Sequence, residues 1–298
     1  MKQKILYILI IFVTFNLRAQ QTIMFSQYFT NDIIYNPAIS GSKEYNNFVL
    51  QTRQQWLGFE GAPLSANVSY NGALNNRSGL GCYLEHDRTY PSNQTNLNLS
   101  YAYHIPLNAD GYYISLGLGA KAMYYYVDLA PGDLPPGNDP AYNERSFDKL
   151  IGDANTGFYL YNSRSYLGYS ILNMLKSSFN KESGYGIGTN SEELVYVGLA
   201  GYKFKVNRDW DVEPSLQIIN RENTENEYNL TTRVFYMDII WSGLSVRSNS
   251  SLSFSVGTNN NDIQFAYSFD HYFGEISKYQ LGTHEFTMSI RIPNTNKY

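Results

Sequence analysis

From Tyr45 onward, polar and apolar side chains alternate with a period of two. Leu97, Leu99, Tyr101 and Tyr103 alternate with Asn96, Asn98, Ser100 and Ala102. Ile114, Leu116, Leu118, Ala120, Ala122, Tyr124 and Tyr126 alternate with Ser115, Gly117, Gly119, Lys121, Met123 and Tyr125. The same rhythm runs through Ile263–Phe269 and Phe286–Ile292. Neighbouring side chains of a strand point to opposite faces, so the pattern predicts strands with one apolar and one polar face. About fourteen such segments, each roughly ten residues long, start near residues 45, 63, 78, 94, 112, 153, 164, 193, 209, 226, 240, 250, 262 and 283. No segment beyond residue 41 keeps a helical period.

The connections sort by parity. The second, fourth, sixth, eighth and twelfth are tight: Asn75-Asn76, Asn108-Ala109-Asp110, Asn162-Ser163, Asn207-Arg208-Asp209 and Asn259-Asn260-Asn261. These residues tolerate positive φ or form Asx turns. Among the odd connections, Leu129 to Gly152 and Lys176 to Glu192 are long, and Tyr272 to Gly282 is intermediate. Long loops at one end and short turns at the other, joined by strands of this length, mark an all-β transmembrane antiparallel β-barrel of about 14 strands. An even count puts both termini at the short-turn end. Trp56 at the loop end, with Trp210 and Trp241 beside short turns, suits two interfacial girdles. The run RQQWLGFEGAP, Arg53 to Pro63, then reads as the first outer rim, with its rings at the lipid interface. A soluble sandwich or lipocalin-like barrel is the alternative. It would have to bury the apolar face, and its many tyrosine hydroxyls, against itself.

Composition supports the barrel. The 298 residues include 28 Tyr and 16 Phe against 16% charged residues, and mean hydropathy is −0.37. No run after residue 20 approaches the apolar length of a membrane helix. A net charge of −4 argues against nucleic acid as a partner. The single cysteine, Cys82, excludes an internal disulfide framework and a cysteine zinc site. Lys2 and Lys4, the apolar run Ile5 to Phe15, and Asn16-Leu17-Arg18-Ala19 have the order of a secretory signal peptide. The expected organisation is a signal peptide at 1–19, cleaved after Ala19, a non-strand segment at 20–44, the barrel at 45–292 and a tail at 293–298. Phe25 to Ser42 is either a leader into the first strand or a segment packed inside or under the barrel.

Candidate chemistry is sparse. His86, His104, His271 and His284 lie far apart without ligand spacing, so no metal is expected. Gly117-Leu118-Gly119-Ala120-Lys121-Ala122 superficially fits a dinucleotide fingerprint, but it lies in unbroken alternation and not at a strand-to-helix turn. Small residues facing the lumen account for it better, and no cofactor is expected. Glu192-Glu193 with Asp148 and Asp153 read as solvated loop charges, and there is no nucleophile elbow. The chain is read as non-enzymatic. Candidate partner-binding residues are the loop aromatics Tyr142, Phe147, Phe179 and Tyr185, the side-chain type that anchors interfaces.

Several motifs resemble the PorP/SprF family of type IX secretion system membrane proteins. They are Phe25-Ser26-Gln27-Tyr28, Tyr35-Asn36-Pro37-Ala38 and Gly41-Ser42, followed by a rim block in which Arg53, Gln55, Trp56, Gly58, Phe59, Gly61, Ala62 and Pro63 match. Gly79-Leu80-Gly81, Tyr101-Ala102-Tyr103, Ile276-Ser277-Lys278-Tyr279 and Gly282-Thr283-His284-Glu285 are similar to the family as well. The resemblance implies an outer-membrane barrel whose partners are an exported protein of the type IX system, through its C-terminal region, and other secretion components. Such a barrel would serve secretion or surface attachment of a specific protein, such as a gliding adhesin. The competing expectation is an uptake channel for a small or hydrophobic solute. The segment Leu129 to Gly152 and the extension Pro293 to Tyr298 depart from the family pattern.

Overall fold

A computed structural model of the chain describes residues 24–107, 111–128, 146–176, 178–179, 190–191, 193–222, 224–249, 251–260 and 262–294. The expected signal peptide and residues 295–298 lie outside the described residues. Fourteen antiparallel strands form the wall: β1 Tyr45–Gln54, β2 Leu64–Asn75, β3 Ser78–Thr89, β4 Ser92–Pro106, β5 Tyr113–Asp128, β6 Ser146–Tyr161 and β7 Ser165–Leu172. They continue as β8 Val195–Tyr202 (prolonged by Phe204–Lys205), β9 Trp210–Arg221, β10 Glu227–Tyr236, β11 Ile240–Arg247, β12 Ser251–Thr258, β13 Ile263–Tyr272 and β14 Thr283–Pro293. Each strand pairs with its chain neighbours, and β1 pairs with β14 from Tyr45↔Pro293 to Gln54↔His284. The sheet is therefore closed, and no edge is left to be satisfied inside a bilayer.

Side-chain parity around the ring is what the alternation predicts. On β5, Leu118 is 68% exposed while Ser115 is fully buried. Leu99, Leu230, Leu244, Val246 and Phe254 share the outer face, and Ser170, Thr231, Ser245, Ser253 and Ser268 share the inner one. An apolar outside around a polar inside reverses a soluble protein and matches a barrel in lipid. Replacing Leu118 by Arg, which sets a charge against acyl chains, should cost about 2–4 kcal/mol near the midplane. The loss is read as less folded, heat-modifiable barrel in isolated membranes. An unchanged folded fraction would invert the assigned faces.

Two features differ from the sequence expectation. β6 begins at Ser146, not near 153, and its early residues pair with the end of β5, from Met123↔Ile151 to Asp128↔Ser146. Asp148 and Lys149 interrupt the alternation there, and a hairpin that outruns the bilayer has no need of an apolar outer face. Within the long stretch after β7, Ser178–Phe179 pairs with Asn190–Ser191 as a short ribbon.

Candidate functional site

Phe25, Tyr28, Ile33, Ile34, Tyr35, Ala38 and Ile39 pack against inward-facing wall side chains, among them Tyr83, Tyr159, Val197 and Ile219, in one buried apolar cluster inside the barrel. Residues 24–44 contain no strand. They run as turns with two short 3-10 helices, Asp32–Ile34 and Pro37–Ile39, and enter β1 at Tyr45. Contacts reach inward-facing groups on most of the strands. The lumen is thus filled by the chain's own N-terminal segment, here called the plug.

At the loop end, charge holds it. Glu285 on β14 accepts hydrogen bonds from the backbone N–H of Ser26 (2.7 Å) and Gln27 (2.9 Å). Asp270 on β13 accepts from the Ser26 hydroxyl (2.7 Å) and from Ser253 (2.6 Å). Arg53, almost fully buried on β1, bridges the two acids, donating to Glu285 at 2.9 Å and to Asp270 at 2.7 Å, and donates to Ser26 Oγ at 2.6 Å. Gln51 donates to Glu285 as well (2.9 Å). Arg247 on β11 stands 3.6 Å from Asp270. Arg53 and Arg247 against Asp270 and Glu285 leave the cluster without net charge. Buried charges persist only when paired and hydrogen-bonded in this way.

Toward the short-turn end, shape holds it. Asn36 accepts from the Ala38 N–H (2.9 Å) and donates to the Phe158 carbonyl (2.9 Å), an Asx turn with Pro37 at the first helical position. The wall opposite is carved by glycine. A Cβ on Gly157 would stand 2.3 Å from Asn36, one on Gly117 2.2 Å from Ala38, and one on Gly79 2.0 Å from the Ser40 carbonyl. Gly41, at φ +75°, lays its own Cα against Gly79 and donates to Asn71 (2.6 Å). Ser40 bonds Ser100 (2.7 Å), and its carbonyl lies 2.8 Å from His104 Nε2. Asn31 bonds Asn67 (2.9 Å), and Tyr28 bonds Ser215 (2.8 Å). Burial pushes the Tyr28 and Tyr35 hydroxyls above the ordinary tyrosine range, which keeps both protonated.

The motif residues thus meet in space. Arg53 from the rim block faces the lumen, where Ser26-Gln27 and Glu285 join it. Gln55 continues the β1–β2 ladder by donating to the Pro63 carbonyl (2.9 Å). Gly58 and Gly61 have φ values of +91° and +74° and turn the loop. Leu57 exchanges backbone hydrogen bonds with Gly282 and Leu281, tying this loop to the β13–β14 connection. Phe59 is exposed at the rim. Trp56 departs from the lipid-interface expectation: with φ +49° it turns over inward-facing Tyr272, ring centroids 6.3 Å apart, and its Nε1 is buried. Trp241 also departs, because its strand parity turns it inward against Phe29 at 5.3 Å. Trp210 remains half exposed beside Tyr236.

Of the loop aromatics, Tyr142 and Tyr185 lie outside the described residues. Phe147 has its backbone in β6, paired with Val127, and Phe179 has its backbone in the short ribbon. Asp153 belongs to β6 and accepts from Leu175 N–H (2.9 Å), tying down the chain after β7. Among the described residues no group of His, Cys, Asp or Glu is placed to hold a metal ion. Sequence reasoning did not single out Asp270, nor the glycines as sockets. The available signal was charge or glycine at inward-facing strand positions.

Residues 17–290 match the family described as Type IX secretion system membrane protein PorP/SprF. Among solved structures, the chain is similar to the Pseudomonas putida toluene transporter TodX, with a TM-score of 0.49, 10% identity, and coverage of 91% of this chain and 95% of that one. It is also similar to CdiB from Acinetobacter baumannii, with a TM-score of 0.45, 9% identity, and coverage of 84% of this chain and 60% of that one. A UDP-glucose 4-epimerase of Drosophila melanogaster is 38% identical over 68 residues, 23% of this chain and 16% of the epimerase.

Proposed function

The chain belongs to the PorP/SprF family of type IX secretion system membrane proteins, and on that premise we propose that it is a non-enzymatic outer-membrane partner of one exported protein, such as a gliding adhesin, needed for that protein's secretion or attachment at the surface. The observation that supports this most is the occupied lumen. The wall is turned to lipid, and the interior is taken by residues 24–44, which leaves the barrel ends for recognition. The loop end carries exposed apolar side chains on connected loops: Leu57, Phe59, Tyr90, Phe273, Tyr279 and Leu281. Large apolar groups in water at a rim serve docking better than solubility. Tyr142, Phe147, Phe179 and Tyr185 remain candidate anchors as well.

The test is surface proteomics on strains carrying Phe59→Ala with Tyr279→Ala, or Tyr142→Ala with Phe147→Ala. Loss of one hot-spot aromatic costs about 2 kcal/mol or more, about thirtyfold in affinity, so in each double variant retention of one exported protein should fall by more than that factor. Barrel abundance should stay unchanged. If every exported protein stays in place while uptake of one solute fails, the channel reading replaces this one.

A further inference from the structure

One stretch of the outer wall is hollowed. The outward-facing positions of β11 are Ile240, Ser242, Leu244 and Val246, so a small polar residue stands among large apolar ones. The register sets Val234 of β10 on one side of Ser242 and Val256 of β12 on the other. These three short side chains floor a groove of about 600 Å³ on the lipid face. Trp210 and Tyr236 stand along one side of it, and Phe265 and Phe286 along the other. Clefts that hold small ligands have volumes of about 300–1,000 Å³.

The groove lies where β11 starts and β12 ends, beside the short turns, which puts it in the periplasmic leaflet. The turns below it are linked: Met237 N–H donates to the Asp209 carbonyl (2.6 Å) and Asn259 N–H to the Ile239 carbonyl (2.5 Å). Together they make a polar ledge under an apolar hollow. Arg208 is exposed on that ledge, two residues before Trp210, and no acid among the described residues pairs with it. Trp210 and Tyr236 stand between hollow and ledge, the place of amphipathic rings at a membrane interface. Because this wall is turned to lipid, what enters the groove comes from the bilayer. An apolar trough with a free cation at its polar end matches an acyl chain joined to a phosphate.

We propose that the groove over Ser242 is a binding site for one phospholipid of the periplasmic leaflet. An acyl chain lies between Trp210 and Phe286 on the floor of Val234, Ser242 and Val256, and Arg208 meets the phosphate at the ledge.

The experiment titrates the full barrel in detergent with phosphatidylethanolamine brominated on its acyl chains, which quenches tryptophan on contact. Trp210 is the reporter, because Trp56 and Trp241 turn inward. Its emission should fall saturably with the phospholipid, whereas the methyl ester of the same brominated fatty acid should need higher concentration. Arg208→Gln should raise the half-saturating phospholipid concentration about threefold, the scale of an exposed ion pair, and remove its advantage over the ester. Ser242→Phe fills the floor with another apolar side chain on the lipid face and should lose the saturable quenching while the barrel stays heat-modifiable. Independently of any variant, native mass spectrometry of the parent should show one phospholipid retained. Quenching that only rises in proportion to lipid, full saturable quenching in Ser242→Phe, or a parent that retains no phospholipid would each overturn the site. So would a parent that runs as a dimer with Trp210 shielded from the brominated lipid, because a second barrel would then fill the groove.

Discussion

Replacing Arg53 by Met should lower barrel stability by about 3–5 kcal/mol, the range for breaking a buried ion pair and stranding its partners. The side chain is nearly inaccessible and bridges Asp270, Glu285 and Ser26. Without it, Glu285 keeps only Gln51 and the two backbone N–H groups of Ser26 and Gln27. Asp270 keeps two hydroxyls and the distant Arg247. The check is the urea midpoint of the folded, fast-migrating form. Adding Glu285→Gln to Arg53→Met leaves Asp270 with Arg247, one charge of each sign, and should recover part of the loss. If the double variant is less stable than Arg53→Met alone, charge balance is not what holds this cluster together.

Gly79→Ala and Gly117→Ala should each unseat the plug. The added carbon would lie 2.0 Å from the Ser40 carbonyl oxygen in one case and 2.2 Å from the Ala38 nitrogen in the other. Both neighbours are backbone and cannot rotate away, so the plug or the wall must move. Overpacking of this kind costs about 1–3 kcal/mol, sometimes more. Gly198→Ala is the matched control, because its nearest neighbour is Ile218 Cβ at an ordinary 3.8 Å. Limited proteolysis of the purified barrels should cut within residues 24–44 in the first two variants and spare the parent and Gly198→Ala. Equal protection in all four would mean the plug tolerates a shifted seat.

The wall was legible in the sequence because period-two alternation is a local property. Strand starts fell within one or two residues for nearly every element, and asparagine-rich turns fixed the parity. The exception, β6, begins where charged Asp148 and Lys149 hide a strand that stands clear of lipid. The interior was not legible in the same way. Arg53 is separated from Asp270 and Glu285 by most of the chain, and only register brings them to one place. The glycine at 79 stood out as part of a motif, but its reason is the backbone of Ser40, which no local pattern encodes. Trp56 and Trp241 were assigned by residue type to the lipid girdle. One was turned by a positive φ and the other by strand parity.

Arg53 and Glu285 are register partners on the first and last strands of the wall. The same contact that grips Ser26 and Gln27 therefore also fastens the seam where the cylinder shuts. Seam and plug are then coupled through one carboxylate: Glu285 meets Arg53 across the closure and takes its backbone donors from the N-terminal segment. An empty cylinder would have to close its seam with carboxylates lacking their backbone donors. Sealing the wall and filling it therefore draw on the same free energy, and loosening either one weakens the other.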